Sequence, residues 1–161
     1  MKRIVILAAL LLTTLSTFAQ SGKDLYQKYS ESEGVSAVYI SPAMFRLMGK
    51  IPDLNVEGEK VNLAPIIQAL SGMYVLDTEN PATKSALKAD AEKFVQSGQY
   101  ELLMEAKEPG EIVRMYTSGT KTVVNGFVMI ADEGDETTFI FLDGKMNRED
   151  LDKLLAESMQ K

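Results

Sequence analysis

Apolar residues recur along the chain at two spacings, and the switches between them lay out the elements. Over residues 24–33, Leu25, Tyr26 and Tyr29 fall on one side of a short helix that Gly34 ends. Residues 35–40 (VSAVYI) form a β-rich run. Ser41-Pro42, a cap followed by proline at the first helical position, opens a short apolar helix through Met44, Phe45, Leu47 and Met48 to Gly49. Residues 50–61 read as a polar loop in which Asp53, Asn55 and Glu57 alternate with Leu54 and Val56, a pattern that suits a binding loop and an edge strand equally. Asn62 can cap a second short helix over 63–70, with Pro65 in its first turn, and Gly72 breaks it before a strand at 73–77.

The clearest helix covers 81–97, capped by Asn80 and ended by Gly98, with Leu87, Ala91, Phe94 and Val95 on one stripe. Strands are predicted at 100–107, 111–117, 122–131 and 137–143, separated by turns at Pro109-Gly110, Ser118-Gly119-Thr120 and Gly134-Asp135. A hairpin at Asn125-Gly126 would leave too short a strand before it, so that pair reads as a bulge or a close backbone approach. Asn147 caps a last helix with Leu151, Leu154, Leu155 and Met159 on one face. The order predicts an α+β domain whose largely antiparallel sheet carries a C-terminal four-strand meander, with helices packed on one face.

Residues 127–130 (Phe127, Val128, Met129, Ile130) and 139–142 (Phe139, Ile140, Phe141, Leu142) disturb that picture. Side chains alternate across a sheet, so both faces of these two strands are apolar. Helices on one face leave the other to meet the early helices, a second subunit or a partner. Phe127, Phe139 and Phe141 are the residues expected at such an interaction face.

Composition narrows the chemistry. The 161 residues contain no His, Cys or Trp, with 45% hydrophobic and 25% charged residues, which suits one globular domain. Without imidazole there is no Ser-His-Asp triad and no His metal ligand; without thiol there is no Cys nucleophile, zinc knuckle or disulfide. Residues 1–19 read as a signal peptide: Lys2 and Arg3, an apolar stretch from Ile4, and Thr17-Phe18-Ala19 for cleavage, leaving a mature domain over 20–161. No cysteine stands at that cleavage point to carry a lipid anchor, so the expected location is periplasmic or extracellular. Removing 1–19 takes away Lys2 and Arg3 and no acid, so the formal charge of −6 becomes −8, which argues against nucleic acid or anionic membrane as partner.

The segment 63–77 (LAPIIQALSGMYVLD), the signal ending Phe18-Ala19-Gln20, and the closing 140–146 (IFLDGKM) resemble the exported Bacteroidetes "domain of unknown function 4252" family. The resemblance spans nearly the whole mature chain but rests on packing and turn patterns. It implies a bacterial envelope protein and transfers no catalytic residue, cofactor or ligand.

Candidate chemistry in the sequence is thin, and each candidate has a simpler reading. Asp132-Glu133-Gly134-Asp135-Glu136 is rich in calcium-type oxygens but lacks the spacing of a calcium loop, and reads as a solvated hairpin turn. Met44 and Met48, at i and i+4, suit Cu(I) but equally fill a core. Ser85 and Lys88 share a helix side as a nucleophile pair would, and also as a solvated face would. No carboxylate pair has the context of a glycosidase. No catalytic, cofactor-binding or metal-ligating residue is therefore assigned. The leading expectation is a non-enzymatic interaction module that meets a protein partner or a second copy through an apolar sheet face. The alternatives are a carrier holding a small apolar ligand between sheet and helices, and a carboxylate-dependent hydrolase.

Overall fold

The computed structural model describes residues 21–48, 54–56, 59–61, 64–150 and 152, with the backbone alone for 48, 54–56, 59–61 and 64–66. The expected signal segment, the Asn62 cap and the Leu151, Leu154, Leu155 and Met159 stripe lie outside the described residues. Among the described residues, no helix is long and apolar enough to cross a membrane.

Local chemistry starts the helices. In α1 (Gly22–Tyr29) the Ser21 hydroxyl accepts from the Asp24 N–H at 3.1 Å while the Asp24 carboxylate accepts from the Ser21 N–H at 2.8 Å, a reciprocal cap that moves the start ahead of Asp24. After β1 (Val35–Ile40), α2 (Pro42–Met48) begins where Ser41 accepts from the Met44 N–H at 3.3 Å. Part of the expected 50–61 loop is a small antiparallel hairpin, β2 (Leu54–Val56) with β3 (Glu59–Val61). A short α3 (Ala64–Ala69) runs directly into β4 (Leu70–Thr78), so Gly72 lies inside the strand instead of ahead of it. In α4 (Pro81–Ser97), Asn80 Oδ1 accepts from the N–H groups of Ala82 and Thr83, both at 3.2 Å.

Four strands follow: β5 (Glu101–Glu108), β6 (Glu111–Gly119), β7 (Val123–Glu133) and β8 (Glu136–Asn147). With β1 and β4 they form one sheet in the order β1-β4-β8-β7-β6-β5, antiparallel at every pairing. The α+β class and the meander β5–β8 follow expectation, and the β7 and β8 ladder extends to the two-residue turn Gly134-Asp135. Both ladders of β7 slip between Val124 and Gly126, which is the expected bulge. Gly126 is also a close approach, because a Cβ there would lie 3.2 Å from the Tyr100 hydroxyl and 3.3 Å from the Phe141 ring.

The main core lies between one sheet face and the helices α1 and α4. Leu25 and Tyr29 from α1 and Leu87, Ala91, Phe94 and Val95 from α4 meet Tyr74, Leu76, Val128, Ile130, Phe139 and Phe141. Rings fill this layer: Phe94 meets Phe139 and Phe141 edge-on at 6.2 and 5.8 Å, and Tyr74 stacks on Phe141 at 5.9 Å. A second cluster joins Phe45 of α2 and Ile67 and Ala69 of α3 to Leu70, Val124, Met146, Ile40, Met73 and Leu142. Ile40, Met73 and Leu142 alternate with Tyr39, Tyr74 and Phe141, so this cluster sits on the opposite face. The two longer helices thus share one face, and the two short ones close one end of the other.

Candidate functional site

Register across six strands defines what remains of the second face. Val38 stands opposite Val75, Val75 opposite Ile140, Ile140 opposite Met129, Met129 opposite Met115, and Met115 opposite Met104. Directly opposite residues share a face, so these six form one apolar line across the whole sheet. Among the described residues, none of them packs into either buried cluster. The two outer members are Val38 at 50% and Met104 at 45% exposed, and the four between are half-buried. The next line toward α2 and α3 is Ile40, Met73, Leu142, Phe127 and Thr117, of which Ile40, Met73 and Leu142 pack under those helices and Phe127 stays half-buried outside.

Of the three aromatic residues expected at this face, only Phe127 is on it. Phe139 and Phe141 are buried on the other side, at 0% and 7% exposure, because the stripe of α4 carrying Phe94 fixes which parity of β8 faces the helices. Sequence reasoning found the two-sided strands and missed the line itself. Met104 and Met115 belong to it through the β5–β6 and β6–β7 registers, and their only signal in the sequence is alternation within strands that look ordinary alone.

A second line crosses the same face at the turn end. Glu108 stands opposite Glu111, Glu111 opposite Glu133, and Glu133 opposite Glu136. Counting by twos along each strand, these glutamates share the face of Met104, Met115, Met129 and Ile140. Beside them Asp77 accepts a 2.8 Å hydrogen bond from the Thr138 hydroxyl. A hydrogen bond with Asp77, then the Asp77 charge, burial and the charges of Glu79 and Glu133 raise the pKa of Glu136 above the ordinary glutamate value. Like charges placed directly opposite one another are destabilising.

Arg114, Lys107, Lys88 and Lys84 are engaged on the other face. Arg114 donates to Glu105 at 2.7 Å and to Glu92 of α4 at 3.1 Å, while Lys107 pairs with Glu105 at 2.7 Å. Lys88 pairs with Asp132, Lys84 lies 3.4 Å from the same carboxylate, and Lys84 also donates to the Gly134 carbonyl. Burial pulls the Asp132 carboxyl upward, but the hydrogen bond from Lys88 and the charges of Lys88 and Lys84 outweigh it and hold the pKa below the ordinary value. The acidic turn 132–136 therefore divides, Asp132 tying β7 to α4 and Glu133 and Glu136 facing the open side.

The remaining candidates are not brought together as sites. Ser85 donates to the Pro81 carbonyl at 3.1 Å, one turn back, while Lys88 is held by Asp132, so the two do not meet as nucleophile and base. Met44 is 49% exposed, and the side chain of Met48 lies outside the described residues. Among the described residues no group of three or more acids is arranged to hold a metal ion. A depression of about 400 Å³ is lined by polar residues including Ser36, Asp77, Glu79 and Asn80, and another of about 310 Å³ by Gln99, Glu101, Lys121 and Arg148 among others.

The family model described as "Domain of unknown function (DUF4252)" matches residues 29–154. No curated protein and no solved structure matches the chain.

Proposed function

From the premise that the chain belongs to the domain of unknown function (DUF4252) family, whose description assigns no chemistry, we propose that it is an exported, non-enzymatic interaction module. It engages a protein partner through the open face of its sheet. The observation that carries this reading is the unbroken apolar line from Val38 to Met104, which lies outside both cores. Six strands about 4.8 Å apart and one line of side chains repeating about 7 Å along each strand give a strip of roughly 24 by 7 Å, on the order of 170 Å². A standard interface buries about 800 Å² per partner, so the strip suits the dry centre of an interface with a polar rim.

The same strands favour a surface role over a carrier. A carrier requires space between sheet and helices, and there Phe94, Phe139 and Phe141 meet ring to ring. Export rests on residues 1–19 and predicts a mature chain beginning at Gln20.

Site-specific photo-crosslinking tests the reading. A benzophenone amino acid at Met115 should capture a partner in the intact envelope, and one at exposed Lys93 of α4 should not. Capture that is equal from both positions, or absent from Met115, rejects the module. Recovery of the protein in the cytoplasm with residues 1–19 intact rejects export.

A further inference from the structure

Building on that reading of the open face, we infer that its partner is a basic amphipathic helix, apolar along one side and carrying Lys or Arg at one end. The glutamate line is the reason. Glu108, Glu111, Glu133 and Glu136 stand side by side on four strands, and neither this line nor the apolar line carries a Lys or Arg. Lys84, Lys88 and Arg114 are engaged on the opposite face by Asp132, Glu92 and Glu105.

A second copy packed with its lines in register does not supply what is missing, because it brings methionines to the methionines and glutamates to the glutamates. With a net charge of −8 after loss of residues 1–19, two copies also repel as wholes. A basic partner removes the repulsion among the glutamates and is steered toward them before contact. Methionines suit the apolar part of such an interface because an unbranched thioether chain adapts to differently shaped ligands, as on promiscuous helix-binding surfaces.

Geometry sets the partner's pattern. Glu133 and Met129 are four residues apart on β7, about 14 Å along the strand. A helix laid along the strands covers that distance in about nine residues, so its basic group lies two to three turns beyond its apolar anchors.

The test uses the full mature chain and two labelled peptides of about 18 residues, long enough at 1.5 Å per residue to cover both lines. Each has leucines on one helical face; one ends in lysines and the other has glutamates in their place. Fluorescence anisotropy should give binding of the lysine peptide about tenfold tighter than of the glutamate peptide, a preference lost in the double variant Glu111→Gln with Glu133→Gln. Circular dichroism melts establish that each variant is folded, and Met104→Asp at the exposed edge serves where Met115→Asp does not fold. Equal binding of both peptides, abolished by Met115→Asp, overturns the basic partner and leaves the apolar interface standing. Lysine-peptide binding that ignores both Met115→Asp and Met104→Asp overturns the apolar interface as well. A dimer in light scattering that Met115→Asp dissociates, with no peptide bound, assigns the face to a second copy and overturns the inference.

Discussion

Gly22, the first residue of α1, lies against the ring of Phe141 in β8: a Cβ built on Gly22 would overlap Cγ and Cδ1 of that ring. Helix propensity alone favours alanine over glycine by up to about 1 kcal/mol. Here contact decides, because Phe141 is wedged between Tyr74 and Phe94 and has little room to retreat. Gly22→Ala should destabilise the fold by about 1 to 3 kcal/mol, read as a lower urea midpoint with an unchanged slope. A midpoint that rises would mean that α1 shifts freely on the sheet.

Residues on opposite faces of the same sheet should respond very differently to truncation. Phe139 is fully buried against Phe94, so Phe139→Ala should remove about 3 to 5 kcal/mol. Met104 is 45% exposed on the edge strand, and Met104→Gln should change stability by no more than about 0.5 kcal/mol. Similar losses from the two would mean that the second face is covered in the folded chain.

Methionine oxidation reads the same division without mutation. Thioethers in contact with water are oxidised first. With dilute peroxide, Met44 and Met104 should be modified earliest, the half-buried Met115 and Met129 next, and Met146, 2% exposed in the second core, last. Peptide mass spectrometry over a time course gives the order. Protection of Met115 and Met129 equal to that of Met146 would show a covered face.

These contrasts mark where the sequence was legible. The starts of α2 and α4 were, because Ser41-Pro42 and Asn80 act within one turn of the backbone groups that they cap. The bulge at Asn125-Gly126 was too, since a hairpin there left no room for a strand. What no local pattern carries is the placement of β8 between β4 and β7, or which parity of its residues meets α4. Phe139 and Phe141 were expected at an interface because both faces of their strand are apolar, and as large apolar side chains they fill the space beneath Phe94 instead. The glutamate line is half local: Glu108 with Glu111 and Glu133 with Glu136 each straddle a tight turn, but only the β6–β7 register joins the pairs.

Acid should weaken the link between α4 and the β7–β8 turn. The Asp132 pKa lies below the ordinary value in the folded chain, so its contribution is present above about pH 4 and is lost as pH falls through the lowered value. Asp132→Asn should therefore cost about 1 kcal/mol at neutral pH and almost nothing at a pH below the folded pKa. Urea titrations at both ends of that window check it. An equal loss at low pH would assign the effect to packing and not to the ion pairs with Lys84 and Lys88.

Glu136 should behave in the opposite sense. Its hydrogen bond with Asp77, the Asp77 charge, and the further charges of Glu79 and Glu133 favour the protonated form, so its folded pKa is raised. A raised carboxyl pKa means that ionised Glu136 opposes folding above that value, and that the opposition fades as pH falls toward the unfolded value of about 4.3, below which both states are protonated. Glu136→Gln should thus raise the melting temperature at pH 7, by an amount that shrinks with acidification and disappears near pH 4. A gain that persists near pH 4 would trace to something other than charge, and no gain at pH 7 would mean that the glutamate line is not under repulsion. A bound basic helix relieves the same repulsion, so the lysine peptide should stabilise the wild type more than the Glu136→Gln variant in the same melts.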